Sequence, residues 1–225
     1  MHLKRRSMPK TWPLQRKDKK FVAVGSGTHK LELSLPLIVV LRDLARVLSN
    51  MNEAKKLLKE DAVEINGKII KEIKTNVGLL DRIHIKKLDK SYSIHMTDKG
   101  KLCAIEISKA KIDTKPCKII GKKILKRAKV QVNCDDGRNF LMEHTKSANF
   151  KVGDTLIINL KSNNILRHLN LAKGAYALIT SGRNSGKHGK IESIEKKMVM
   201  LTAGHKKISV PVANIFVLEE EEFKK

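Results

Sequence analysis

Between Pro36 and Leu48 the apolar residues Leu37, Val40, Leu41, Leu44, Val47 and Leu48 recur at steps of three and four. Past Ala62 the apolar residues alternate with polar ones instead, as in Val63 and Ile65 or Ile83 and Ile85. A three-to-four period makes a helix with one buried stripe, whereas a period of two makes a half-buried strand. This change of period confines the chain to a small helical unit followed by β-rich parts, an α+β fold with several domains. With 225 residues and only 4% aromatics, the cores must be built mostly from Ile, Leu and Val.

Four segments follow. Residues 1–36 are expected to be a basic N-terminal extension, because residues 1–30 carry nine Lys/Arg and one Asp with little apolar periodicity. A segment with so little to bury is either a cationic tail or an arm that orders on a partner, with Trp12 and Phe21 as anchors. Residues 37–90 form the helical unit. Its first helix runs through "LPLIVVLRDLARVLSN", with Arg42 and Arg46 on the outer face. A second, "NEAKKLLKE", is expected to start with Asn52 as its cap and to turn Leu57 and Leu58 inward. A hairpin turns at Asn66-Gly67. Residues 91–168 read as a central β domain, with hairpins at "TDKGK" and at Asp136-Gly137. Its segment 118–129 holds six cations and no acid, either a solvated loop edge or a rim for phosphate. Residues 169–225 read as a small β-barrel with an acidic, solvated tail at Glu219–Glu222.

Lys and Arg number 47 against 23 Asp and Glu, a net charge of +24. Such a surplus repels itself until a polyanion neutralises it, and nucleic acid is the usual polyanion for a chain of this kind. The basic start has no apolar run behind it, which argues against a secretory leader, and no long apolar stretch or lipidation motif argues for a membrane. Cys103, Cys117 and Cys134 are far apart, so neither a zinc ribbon nor a disulfide framework is expected, only reduced thiols. The glycine-rich loop "SGRNSGKHGK" fails as a nucleotide-binding loop. Gly182 and Gly186 stand one residue too close, His188 replaces the hydroxyl that would hold magnesium, and a strand follows where a helix is needed. No catalytic residue, metal, cofactor or small-molecule substrate is expected.

Two resemblances and one larger pattern sharpen this. "E-A-x-x-L-L-x-x-x-x-V-x-I-N-G", from Glu53 to Gly67, resembles the alpha-L RNA-binding fold, though Asp61-Ala62 stand where that family commonly has a glycine. The stretch around Ala177, Ile179, Gly182, Gly186, Gly189, Ile191 and Ile194 resembles the KOW motif, an SH3-like barrel. Its glycines are expected to let the loop turn and an RNA backbone approach; the alternative is a merely flexible hairpin loop. The whole order of parts, with His2-Leu3-Lys4-Arg5, Pro9-Lys10, Trp12, His29, Leu35-Pro36-Leu37, Leu41-Arg42, "VGLLD" at 77–81, Lys115, Cys117-Lys118, Asp136-Gly137-Arg138-Asn139 and "NIFVL" at 214–218, resembles the e-type small-subunit ribosomal protein four family in its archaeal form. "GSGTHK" departs from that family's prolines.

The resemblance implies a structural protein of the small ribosomal subunit in the cytoplasm. It would bind ribosomal RNA, chiefly the 5′ domain, beside neighbouring ribosomal proteins, and would help subunit assembly and translation. The candidate RNA-binding residues are Lys4, Arg5, Arg6, Lys10, His29, Arg42, Arg46, Lys55, Lys56, Asn66, Lys68, Arg183, Lys187, His188 and Lys190. Pseudouridine synthases share the alpha-L unit, and "LLDRI" at 79–83 echoes their catalytic aspartate, but no room remains for their catalytic domain. A KOW-bearing transcription elongation factor is the other rival.

Overall fold

In the computed structural model, which describes residues 2–126, 129–204 and 206–222, the chain forms two compact units. The first comprises residues 1–97, 101–115 and 160–162. The second comprises residues 98–100, 116–159 and 163–225.

The first unit opens with an ordered arm. Strands β1 (Leu3–Lys4) and β2 (Phe21–Val22) pair antiparallel. Met8 and Trp12 are buried, and the Trp12 indole donates to the Leu31 carbonyl at 3.2 Å. Burying one large apolar side chain contributes about 1.5–3 kcal/mol. Together with long-range hydrogen bonds, this folds a segment whose composition argued for disorder. "GSGTHK" also has a defined path, since Ser26 pairs with Thr75 and exchanges backbone hydrogen bonds with Lys74 and Asn76. Strand β3 (Ser34–Pro36) pairs with β6 (Asn76–Gly78).

The first helix is shorter than its period suggests. α1 (Leu37–Val39) widens into a π-helical turn at Val40–Leu44 and stops; Arg46 has φ +51°. Residues Leu37 to Leu41 are all buried, so the segment is enclosed rather than striped, and Val47 and Leu48 lie outside the helix. Arg42 and Arg46 therefore do not share a helical face. α2 (Met51–Lys59) begins at Asn50, not Asn52, because Glu53 reaches back to the Asn50 amide and closes a capping box. Ala54 and Leu58 point inward and Leu57 is half-buried.

Strands β4 (Val63–Ile65) and β5 (Lys68–Ile69) form the expected hairpin, with Asn66 at φ +51° and Gly67 at φ +75°. Positive φ at both central residues is what a two-residue turn of this hand requires. Asp61, where the alpha-L resemblance places a glycine, keeps a glycine-like φ of +50°. β7 (Arg82–Ile85), β8 (Lys90–Met96) and β9 (Leu102–Glu106) extend this hairpin into one sheet of order β5-β4-β7-β8-β9. The domain break expected at 90/91 therefore falls inside a sheet. The hydrogen-bond ladder between β7 and β8 joins the two sides, and the unit continues to Lys115.

The second unit holds two sheets, so the break expected at 168/169 does not separate units. One is formed by β10 (Thr114–Ile124), β11 (Lys129–Cys134), β12 (Asn139–Glu143), β13 (Thr155–Asn159) and β14 (Ile165–Leu169), in the order β12-β11-β10-β13-β14. A short helix, α3 (His144–Ser147), follows β12. Most of the cationic segment 118–129 belongs to strand β10, with a bulge between Ile119 and Gly121, rather than to a loop. Residues 127–128 lie outside the described residues. Strands β15 (Tyr176–Ile179), β16 (His188–Glu195), β17 (Met198–Ala203), β18 (Lys206–Pro211) and β19 (Ile215–Val217) form the other sheet, in the order β18-β17-β16-β15-β19. Ala177, Ile179, Ile191, Val199, Leu201 and Ile215 fill its core. Ile194 stays 38% exposed.

Candidate nucleic-acid interface

Cationic side chains in this chain do two different things, and geometry separates them. In the arm, Arg5 pairs with Asp18 at 3.3 Å and donates to the Gln15 carbonyl, so it is half-buried and internal. Arg16 donates to the carbonyls of Arg6 and Met8, both at 2.9 Å. These bonds fold residues 15–20 back over residues 4–8. The result is a cavity of about 560 Å³ lined by Lys4, Arg6, Arg16, Lys17, Lys19, Lys20 and one acid, Asp18. Lys10 is exposed elsewhere on the arm. Of the expected residues only Lys4 and Arg6 line the cavity. The other four cations were legible as the dense run "QRKDKK" at 15–20 but were not singled out.

His29 and Asn66 belong to the interior. Both surround Asp81, a carboxylate only 2% exposed. Asp81 accepts from the Gly78 amide at 2.6 Å, Lys115 Nζ at 2.6 Å and Asn66 Nδ2 at 2.9 Å, and His29 Nε2 stands 3.3 Å away. Gly78 lacks a side chain for a reason, since a Cβ there would lie 2.4 Å from the His29 ring. The other end of the Asn66 amide accepts from the Arg82 backbone at 3.0 Å. Arg82 is itself buried, donating to Thr114 O at 3.0 Å and Ser93 Oγ at 2.5 Å. Burial alone would raise the Asp81 pKa, but Lys115 and then His29 outweigh it and hold the carboxyl far below the usual range. A catalytic aspartate must reach its substrate; this one is enclosed and saturated with donors. The sequence signal for this hub was "VGLLD" together with Lys115.

On the outside of the same unit, Lys55 and Lys56 are exposed on α2, and Lys68 is exposed beside the hairpin turn. Arg42 is exposed too, but Asp43 grips its guanidinium at 2.9 and 2.8 Å and raises its pKa, so its charge is partly answered. Arg46 is exposed beyond the helix end.

The glycine-rich loop of the second unit joins β15 to β16. Arg183 and Lys190 are exposed, Lys187 Nζ donates to Asn184 Oδ1 at 3.0 Å, and His188 is half-buried with its ring 5.8 Å from Tyr176. A cavity of about 490 Å³ is lined by Tyr176, His188, Lys190, Glu192, Thr202 and two glycines. Gly189 was expected to admit an RNA backbone. Instead it admits the neighbouring strand, because a Cβ there would sit 1.9 Å from the Thr202 carbonyl. The loop is also braced: a Cβ on Gly100 would meet Ser185 Oγ at 2.3 Å, so the "TDKGK" turn packs on its tip. Glu219, expected in the solvated tail, pairs with Arg167 at 2.7 Å.

Among the described residues Cys117, Asp135 and Asp136 lie close enough together for a metal ion, but their atoms are engaged within the fold. Asp136 accepts from Cys117 Sγ at 3.2 Å and from the Arg138 amide at 3.0 Å, and Asp135 from the Lys118 amide at 2.9 Å. Cys103, Cys117 and Cys134 are reduced thiols. No described helix is long and apolar enough to cross a membrane.

Comparison with known proteins is consistent across sequence and structure. The profile of ribosomal family S4e matches residues 88–165. Small ribosomal subunit protein eS4 of Methanocella arvoryzae is 36% identical over 195 residues, which is 86% of this chain and 81% of that one. The eS4 protein of Methanococcus maripaludis is 34% identical over 202 residues, 87% of this chain and 82% of that one. The crystal structure of 30S ribosomal protein S4e from Thermoplasma acidophilum superposes with a TM-score of 0.72 at 26% identity, covering 85% of this chain and 97% of that one.

Proposed function

The chain belongs to ribosomal family S4e, the eS4 proteins of the small ribosomal subunit, and from that premise we propose that it grips ribosomal RNA with cations already held in place by the fold. Its class is that of a structural constituent of the ribosome. Its RNA partner is expected to be the 5′ domain of the small-subunit RNA, with neighbouring ribosomal proteins beside it and assembly of the subunit as the process it serves. The ribosome-bound protein would work in the cytoplasm.

The observation that carries this reading is the split among the cations. Arg5, Arg82 and Lys115 are spent on carboxylates and carbonyls of the fold itself. Lys4, Lys10, Lys55, Lys56, Lys68, Arg183 and Lys190 stand outward. Phosphate contacts by such outward cations release counterions and position a protein on a folded polynucleotide, while shape and unpaired nucleotides supply the choice of site. No bond needs to be made or broken.

The test is binding of the full chain to a transcript of the 5′ domain across a salt series, with co-sedimentation on small subunits alongside. The logarithm of affinity should fall by about 0.9 per phosphate contact for each tenfold rise in salt, taking the duplex value as a guide. A flat salt series, or a chain that travels with no ribosomal particle, would overturn the proposal.

A further inference from the structure

We propose that the N-terminal arm is a preformed clamp for one unpaired nucleotide of RNA, its base stacked on Phe21 and its flanking phosphates drawn to the cationic cavity. This rests on the RNA-binding reading above and goes beyond it by assigning a site and a nucleotide state.

Two independent features meet in the arm. The first is charge. Lys4, Arg6, Arg16, Lys17, Lys19 and Lys20 line one cavity, and the single acid there, Asp18, is engaged by Arg5. Among the described residues Lys4, Arg6, Lys17, Lys19 and Lys20 have no carboxylate within ion-pair distance. Like charges so gathered repel each other, and the arrangement persists because the bonds from Arg16 to the Arg6 and Met8 carbonyls fix the backbone beneath them. An anion entering the cavity relieves that repulsion. At about 560 Å³ the space is in the range of sites for whole small molecules rather than a lone phosphate.

The second feature is an exposed aromatic. Phe21 is 47% exposed in a chain with few aromatic residues. It is the ladder partner of Lys4, which lines the cavity, and the chain neighbour of Lys20, which also lines it. The His2 ring lies 5.5 Å from the Phe21 ring, and Lys20 Nζ stands 5.4 Å from its centre. Lys20 Nζ lies over that ring, so a base stacking there displaces the ammonium from the ring face toward the phosphate alongside. A paired base offers only its edges, so the occupant is a bulged, looped or terminal nucleotide. The arm is tied by its own bonds, from Arg5 to Asp18, from Arg16 to the Arg6 and Met8 carbonyls and from Trp12 to the Leu31 carbonyl, so little folding entropy is lost on capture.

The experiment uses the full chain and two short RNA hairpins of one sequence, fully paired or carrying one unpaired fluorescent adenine analogue, with affinities read by anisotropy at several salt concentrations. The bulged hairpin should bind roughly tenfold more tightly, the scale of one base stacked on an aromatic ring. Its fluorescence should be quenched on binding. Phe21→Leu should bring the ratio of the two affinities toward one and abolish the quenching, and Phe21→Tyr should keep both. Lys17→Ala with Lys19→Ala should lower the salt slope on the bulged hairpin by roughly 0.9 for each phosphate that is no longer neutralised. Equal affinity for the two hairpins, with both bound tightly and salt-sensitively, overturns the clamp and leaves the ribosomal RNA reading standing. Binding of neither hairpin and no 5′-domain transcript overturns both. Quenching that survives Phe21→Leu overturns the assignment of Phe21.

Discussion

Replacing Asp81 by Asn tests whether the buried ionic hub holds the first unit together. Asp81 accepts from Gly78 N, Lys115 Nζ and Asn66 Nδ2, with His29 Nε2 close by. Each neighbour is a donor, so the amide group of an asparagine would face a donor whichever way it turned. Lys115, 2% exposed, would also lose its counter-charge. Stranding one member of a buried ion pair costs about 3–5 kcal/mol. At roughly 4 °C per kcal/mol for a separately melting unit of this size, the first unit should melt on the order of 15 °C lower. The second unit carries none of these residues, so its transition should stay in place. Urea and thermal unfolding of wild type, Asp81→Leu, Lys115→Met and the double variant complete the cycle. The double variant still leaves the Gly78 amide and the Asn66 side chain without an acceptor, at about 1–3 kcal/mol each. It should nevertheless cost at least about 2 kcal/mol less than the sum of the two single variants, because no charge is stranded. Additivity within about 0.5 kcal/mol would refute the ionic account. The pH dependence has a definite sign. The folded Asp81 pKa is depressed below the unfolded value near 3.9. Its stabilisation is therefore fully present above that value and is lost as pH falls below it, where the unfolded chain takes up a proton that the folded one does not. Wild type should lose stability more steeply than Asp81→Asn on going below about pH 4.

Charge reversal of Lys55 and Lys56 together should weaken binding to the 5′-domain transcript and flatten its salt slope, with thermal unfolding nearly unchanged because both are exposed; filter binding and melting curves check the two halves. Adding Arg42 to that set should matter less than its exposure suggests, since Asp43 already answers its charge. In the glycine-rich loop, Gly189→Ala should unfold the barrel or cost several kcal/mol, because its Cβ would collide with the Thr202 backbone, whereas Gly182→Ala should cost only about 1 kcal/mol, the strain of φ +96° in open space. Lys118→Met should destabilise the second unit by at least about 3 kcal/mol, since Nζ donates to the carbonyls of Val212, Ala213 and Ile215, and denaturant unfolding reads it.

Elements whose cause is local were legible. Asn66-Gly67 and Asp136-Gly137 demand turns by their own backbone preferences, and Gly67 and Gly137 take φ values of +75° and +85°. The end of the first helix was not legible, because Val47 and Leu48 continue its period, whereas the chain turns left-handed at Arg46 and Val47 N bonds back to the Leu41 carbonyl. The strand through Lys118 and Lys122 was hidden for another reason. Their charges spoil the apolar pattern, yet Lys118 is buried under three carbonyls and Lys122 Nζ reaches Ser147 O at 2.5 Å. Charge density misled in the arm as well, where Arg5 and Arg16 serve as ties for the backbone. Lys55, Lys56, Lys68, Arg183 and Lys190, candidates through the alpha-L and KOW resemblances, stand outward in the fold. His29 and Asn66 do not, and this was not legible, because only the folded chain brings Asp81 to them from fifteen residues or more away.

A net charge of +24 overstates how many phosphates the chain can meet. A salt slope counts only cations that gain a phosphate and shed a counterion. Lys115, Lys118 and Arg82 are already desolvated, and their donors are taken by carboxylate, carbonyl and hydroxyl oxygens. Moving one to a phosphate would leave buried acceptors empty, at about 1–3 kcal/mol each, against the modest gain of one more neutralised phosphate. Interior and surface cations should therefore respond oppositely in the two assays. Lys118→Met should lower stability and leave the salt slope of the surviving folded protein unchanged. Reversing Lys55 and Lys56 should lower the slope and leave stability unchanged. If Lys118→Met reduced the slope while the chain stayed folded, cations would be moving between interior and RNA, and the division drawn from the static fold would be wrong.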